Sequence, residues 1–131
     1  KNELEKAILD QKNKIKKIIK IVHPLVRVSM NKFLKKNKNK KIVILDVPLL
    51  LENKINKKNY ILIFVDAKKK DIFRRLVKRK NYNPKIFNKL KKLQFFLDFK
   101  KRKSNYVIKN DFKNSSVKKN VKVLKNQLLS Q

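Results

Sequence analysis

From Leu4 to Phe33 apolar residues recur at helical spacing: Leu4 and Ile8, then Ile15, Ile18, Ile19 and Val22, then Leu25, Val26, Met30 and Phe33. Steps of three and four bring such residues onto one face, so the segment predicts two or three helices. Pro24 should stand near a helix start or a kink, because it has no N–H for the preceding turn. The polar tract Lys35–Lys41 reads as a charged loop. Lys41–Pro48 (KIVILDVP) and Tyr60–Asp66 (YILIFVD) are continuous apolar runs rich in β-branched residues, the pattern of strands buried on both faces. Ile72 and Leu76, surrounded by Arg74, Arg75 and Arg79, predict a basic amphipathic helix over Lys68–Arg79. Pro84, suited to a first helical position, opens another helix through Phe87, Leu90, Leu93, Phe96 and Leu97. Asn105–Asn110 predicts a short third strand, and Val117, Val121, Leu124 and Leu128 share the stripe of a closing helix.

Strands alternating with helices imply right-handed crossovers and a parallel sheet with helices on both sides, an α/β fold of three layers. Ligands of such sheets sit at the carboxyl ends of the strands. No internal repeat is visible, and nothing after Asp46 marks a second independent domain.

Composition changes this picture in three places. The 131 residues are 41% apolar and 8% aromatic, enough for a real core. No residue is Gly or Cys, so a glycine-rich phosphate loop, a disulfide framework and a thiolate metal site are not built from these residues. No apolar run reaches membrane-spanning length and no signal peptide is visible, which makes a cytoplasmic protein the expectation. The chain opens at Lys1 without Met, so its true amino terminus is expected upstream.

The formal charge of +30 first suggests nucleic acid or an anionic membrane. Only five of the 39 basic residues are Arg (Arg27, Arg74, Arg75, Arg79 and Arg102), and Lys is mixed with Asn and Ile in every segment. A dedicated nucleic-acid binder uses Arg for bidentate contacts and concentrates its charge on one face. The charge therefore reads as a solvated surface drawn from biased coding DNA, with no specific nucleic acid and no membrane as partner. A basic RNA-binding or ribosome-associated module stands as the alternative class.

An ordered set of short motifs carries a resemblance: His23-Pro24; Asp46-Val-Pro-Leu-Leu-Leu-Glu52; Val65-Asp66; Arg75 and Arg79; Gln94; Lys100; and Tyr106-Val-Ile-Lys-Asn110. In this order and spacing the chain resembles the dephospho-coenzyme A kinase family over essentially its whole length. Asp46–Glu52, followed by a second strand and an Arg-x-x-x-Arg helix, is the most specific part. The family's usual Ala-Asp before the last strand is Ser104-Asn105 here. A nucleoside monophosphate kinase is a nearer alternative, against which the Asp46–Glu52 stretch and the His-Pro pair speak.

The resemblance implies a P-loop kinase fold and ATP-dependent phosphorylation of the ribose 3′-hydroxyl of dephospho-coenzyme A, with Mg2+ as cofactor and a monomer as the working unit. It implies a helical coenzyme A-binding region over residues 1–40, the carboxyl-terminal part of the kinase core over 41–131, and a lid over about 68–102. The first strand, the phosphate loop and an acidic residue near the substrate hydroxyl are then expected before Lys1, so that the chain alone is expected to be inactive.

Each implied site residue also has a plainer reading. Arg75 and Arg79, one helical turn apart, suit a lid closing on ATP phosphates, or form a solvated face. Asp46 would hold a magnesium-bound water, or cap a turn before Pro48. His23, Leu50 and Glu52 are expected on the coenzyme side, or serve as a structural histidine, a packing leucine and a helix cap. Asn110 would meet the adenine of ATP, or simply end a strand. Arg27 lies outside the lid.

Scattered lysines supply phosphate contacts without base readout, so binding to RNA or DNA should be weak, indifferent to sequence and steeply reduced by salt. Titration of labelled oligonucleotides at two ionic strengths checks this, and tight binding at high salt or a preferred sequence would restore the nucleic-acid class.

Overall fold

Two of the three expected strands pair. In the computed structural model, which describes residues 12–130, β1 (Ile63–Asp66) and β2 (Tyr106–Lys109) run parallel, with Ile63 opposite Tyr106 and Asp66 opposite Lys109. Five helices accompany them along the chain: α1 (Lys12–Lys36), α2 (Lys69–Val77), α3 (Pro84–Lys91), α4 (Leu97–Lys103) and α5 (Asn114–Leu129). The described residues thus form an α/β structure of five helices and a two-stranded parallel sheet.

Asn105 sets the register. Its backbone N–H donates to the Leu62 carbonyl at 2.8 Å while its Oδ1 accepts the Leu62 N–H at 2.8 Å, so one residue satisfies both backbone groups of Leu62. An aspartate would offer the same acceptor, so Ser104-Asn105 keeps the chemistry of the Ala-Asp pair it replaces. At the other end the Asn110 N–H donates to the Asp66 carbonyl at 2.7 Å.

The strand expected over Lys41–Pro48 does not form. Residues 42–47 take no regular secondary structure and pair with no strand among the described residues, and Ile42 and Ile44 are 40% and 80% exposed. An extended run becomes a parallel strand only where a neighbour takes its N–H and C=O groups, and apolar composition alone does not provide one. The expectation that Tyr60–Asp66 is buried on both faces is corrected for the same reason. Ile63 and Val65 remain exposed while Phe64 and Asp66 are half-buried, since a two-stranded sheet covers β1 along one edge.

The helices also depart from the sequence pattern. Within the described residues α1 is one helix that runs through Pro24, and Leu4 and Ile8 lie outside those residues. It ends where Asn37 donates from its side chain to the Phe33 carbonyl at 2.9 Å, beside the favourably placed cations Lys35 and Lys36. Pro84 opens α3 as expected, yet a turn over residues 92–96 separates it from α4. Phe96, with ψ at 143°, is extended and breaks the helical run.

The chain divides into two units. One holds the described residues up to Lys57 together with Pro84–Gln94, and among the described residues its buried apolar side chains are Met30 and Ile55. The other holds Lys58–Asn83 and the chain from Phe95, where α5 packs against β2 and buries Leu124. The Asn120 side chain ties α5 to the Lys109 carbonyl at 2.9 Å.

Without glycine, left-handed backbone positions fall to residues that carry a Cβ: Leu49 (φ 56°), Lys54 (φ 50°) and Phe112 (φ 64°). Each conformation costs about 1–2 kcal/mol for a residue with a Cβ. Lys54 is exposed. Lys54→Gly should therefore raise stability by roughly 0.5–1 kcal/mol, the relieved strain outweighing the added freedom of the unfolded chain. Urea unfolding of both proteins measures it; a lower midpoint for the glycine variant would show that position 54 carries no strain to relieve.

Candidate functional site

The carboxyl ends of β1 and β2 place chemistry at one edge of the second unit. β1 ends in Asp66, whose Oδ2 accepts from Lys101 Nζ of α4 at 2.7 Å. The pair borders a cleft of about 250 Å³ to which Ala67, Lys69, Ile72 and Asp98 also contribute. Both side chains are partly exposed, 36% for Asp66 and 47% for Lys101, so water screens the pair and its worth to the fold is about 0–1 kcal/mol.

β2 ends in Asn110, which shapes the turn after it. Asn110 Oδ1 accepts the Phe112 N–H at 2.8 Å and so holds Phe112 in its left-handed conformation. The next carboxylate, Asp111, accepts the Lys113 N–H at 3.0 Å and the Ser116 hydroxyl through the same Oδ1, which anchors the turn to the first residues of α5. The Ser116 hydroxyl, and after it the Lys113 N–H, hold the Asp111 carboxyl below the usual carboxylate range. On this turn the Arg75 guanidinium of α2 lies over the Phe112 ring, 4.2 Å from its centroid.

Of the residues expected to meet ATP, the structure brings two together: Arg75 reaches the turn that Asn110 shapes. Arg79 does not share a helix with Arg75, which corrects the expectation of two arginines on one helical face over Lys68–Arg79. The helix ends at Val77, and Arg79 lies in the turn beyond, donating its N–H to the Leu76 carbonyl at 3.1 Å. Asn81 and Asn83 favour turns over helix, and Pro84 disfavours helical backbone in the residue before it, so the helix stops short.

In the first unit Asp46 lies in the irregular segment 42–47 and borders an apolar groove of about 460 Å³ lined by Val22, Leu25, Met30, Phe33 and Ile44. Its carboxylate is exposed and takes no hydrogen bond among the described residues, so no turn cap is seen. Leu50 and Glu52 are half-buried in the turn that follows, which is closed by the Ile55 N–H on the Leu50 carbonyl at 3.1 Å. Arg27 of α1 donates to the Asn53 carbonyl at 3.2 Å, so this arginine braces that turn. His23 is half-buried on α1.

Sequence reasoning quoted Asp66 without giving it a role and passed over Lys101 and Phe112. Asp66 shares with Asp46 the signal of a carboxylate closing an apolar run. Phe112 had none, because its partner stands 37 positions away. Among the described residues no group of three metal-ligating side chains occurs, and no helix is long and apolar enough to cross a membrane.

Comparison with known proteins gives one consistent result. The family model described as dephospho-CoA kinase matches residues 1–116. The dephospho-CoA kinase of Fusobacterium nucleatum is 30% identical over 111 residues, 85% of this chain and 57% of the relative. That of Bartonella quintana is 30% identical over 108 residues, 81% of this chain and 55% of the relative. The Rickettsia typhi protein of the same name is 26% identical over 111 residues, 84% of this chain and 58% of the relative. The chain thus spans a little more than half the length of the curated relatives it matches.

The Asp111 shift fixes a sign. Its folded-state value is lowered, so the stability it contributes is present above the ordinary carboxylate range and is lost as pH falls through the lowered value. Carbon-detected NMR titration should find Asp111 titrating below ordinary aspartates, and Ser116→Ala should move it back upward. An unmoved titration in Ser116→Ala would remove the hydroxyl as the cause.

Proposed function

The chain belongs to the dephospho-CoA kinase family, and we propose that it takes part in moving the γ-phosphoryl group of ATP to the ribose 3′-hydroxyl of dephospho-coenzyme A. The bond from the γ-phosphorus to the β-phosphate bridging oxygen breaks, a bond to the 3′-oxygen forms, and the hydroxyl proton leaves to a carboxylate. The observation that carries this reading is the meeting of a lid-type arginine, Arg75, with the turn after the last strand, at the carboxyl end of a parallel sheet.

Phosphoryl transfer is catalysed mainly by positioning and by positive charge around the equatorial oxygens. Arg75 and Arg79 supply that charge, Asn110 borders the adenine, and residues 68–102 act as the lid. His23, Leu50 and Glu52 belong to the coenzyme side, within and just after a helical region over residues 1–40. Asp46 suits Mg2+ because nucleotide-bound magnesium needs only one or two carboxylates besides phosphate oxygens and water, and this one is exposed and takes no hydrogen bond among the described residues. The ion, when bound with the nucleotide, neutralises phosphate charge. With no glycine among the 131 residues, a glycine-rich amide cradle for the phosphates comes from polypeptide outside them. Residues 41–131 then form part of a three-layer P-loop core in a cytoplasmic, monomeric enzyme.

Two assays test the reading. Residues 1–131 alone should not phosphorylate dephospho-coenzyme A, and turnover by them would overturn the external cradle. In a protein where this chain is joined to a phosphate-loop segment, Arg79→Ala should lower kcat by about a hundredfold, on the order of 3 kcal/mol. Arg79→Lys should recover part of it, since the ammonium keeps charge but not the planar fork. Lys122→Ala serves as the control, because Lys122 is exposed on α5 outside the lid, whereas Arg27 donates to the Asn53 carbonyl and braces that turn. Equal, mild effects of Arg79→Ala and Lys122→Ala would return Arg79 to the solvated surface.

A further inference from the structure

Arg75 is one of two adjacent arginines in the last turn of α2, and the two have different partners. Arg74 donates to Asp71 Oδ1, three residues back on the same helix, at 3.1 Å. Arg75 pairs with no carboxylate among the described residues; its guanidinium lies over Phe112 instead, 4.2 Å from the ring centroid. A long exposed side chain spends most of its time unplaced unless something holds it.

The ring is the better fixed of the two partners. The Phe112 N–H is held by Asn110 Oδ1, and the residues on either side are tied by Asp111 to Lys113 and Ser116. The Asn110 N–H is bonded in turn to the Asp66 carbonyl of β1. A guanidinium attracted to a ring face uses none of its five in-plane N–H donors, which stay available to an anion. The contact therefore restricts where the charge sits without neutralising it, unlike the Arg74 ion pair.

We propose that Phe112 is a positioning residue, which holds the Arg75 guanidinium at the turn after β2 so that its donors meet the anionic groups of a bound nucleotide. This rests on the nucleotide reading of the site given above. It assigns Phe112 no contact with the nucleotide: its effect passes through Arg75.

The test combines a spectroscopic signature with binding. With five arginines in the sequence, the Arg75 Nε–H resonance can be assigned by its loss in Arg75→Lys, and the Phe112 ring current should displace it upfield. Phe112→Leu, which keeps an apolar side chain but removes the ring, should abolish that displacement and weaken ATP binding by about threefold to fivefold, the range expected of an exposed cation–π contact. Phe112→Tyr should restore both. Phe112→Leu combined with Arg75→Ala should bind ATP no more weakly than Arg75→Ala alone, because one residue acts through the other. Additive losses in the double variant, or an Arg75 resonance unmoved by Phe112→Leu while ATP binds well, would overturn the role of Phe112 alone. All binding is measured in the protein where this chain is joined to a phosphate-loop segment, and no ATP binding by that protein without substitutions would overturn the nucleotide reading and the role of Phe112 with it.

Discussion

The parallel register of β1 on β2 is pinned at both ends, by Asn105 on Leu62 and by the Asn110 N–H on the Asp66 carbonyl. Everything at the carboxyl edge depends on that register. It sets Asp66 level with Lys109, so the two strands stop together and the chain turns away from the same edge twice. One departure leads into α2 and delivers Arg75; the other is the turn at Asn110, which raises the Phe112 ring beneath it. A slip of one residue would reverse every side chain of one strand and break this meeting.

The missing glycine has a structural consequence that composition hints at but does not locate. Three turns need left-handed backbone and take it with Leu49, Lys54 and Phe112, two of them in the segment around Leu50 and Glu52 and one at the Asn110 turn. Such strain persists only where surrounding bonds over-determine it. At Phe112 the Asn110 side chain supplies the constraint, and around Leu49–Lys54 the Asn53 and Ile55 amides and Arg27 do so.

The abundance of cations makes individual ones hard to read. Thirty-nine basic residues face nine acidic ones, so most cannot find a carboxylate. What distinguishes Arg75 is a neutral partner with fixed geometry, and what distinguishes Lys101 is its place beside the strand-terminal Asp66.

The residues alone were enough for the α/β class, the helix opened by Pro84, the last two strands and the family, because each rests on local pattern or ordered motifs. The family model and its relatives bear out that assignment. Local pattern misled over Lys41–Pro48, where apolar, β-branched residues promised a strand, and over Lys68–Arg79, where even spacing promised one helical face. A strand exists only with a neighbour to take its backbone groups, and a helix ends where turn-forming Asn81 and Asn83 and the approach to Pro84 outweigh the apolar stripe. The division of Pro84–Leu97 into a helix, a turn and the start of α4 was likewise hidden from periodicity. So was the contact of Arg75 with Phe112, since a pair 37 residues apart becomes neighbours only when the β1–β2 ladder folds the chain back on itself.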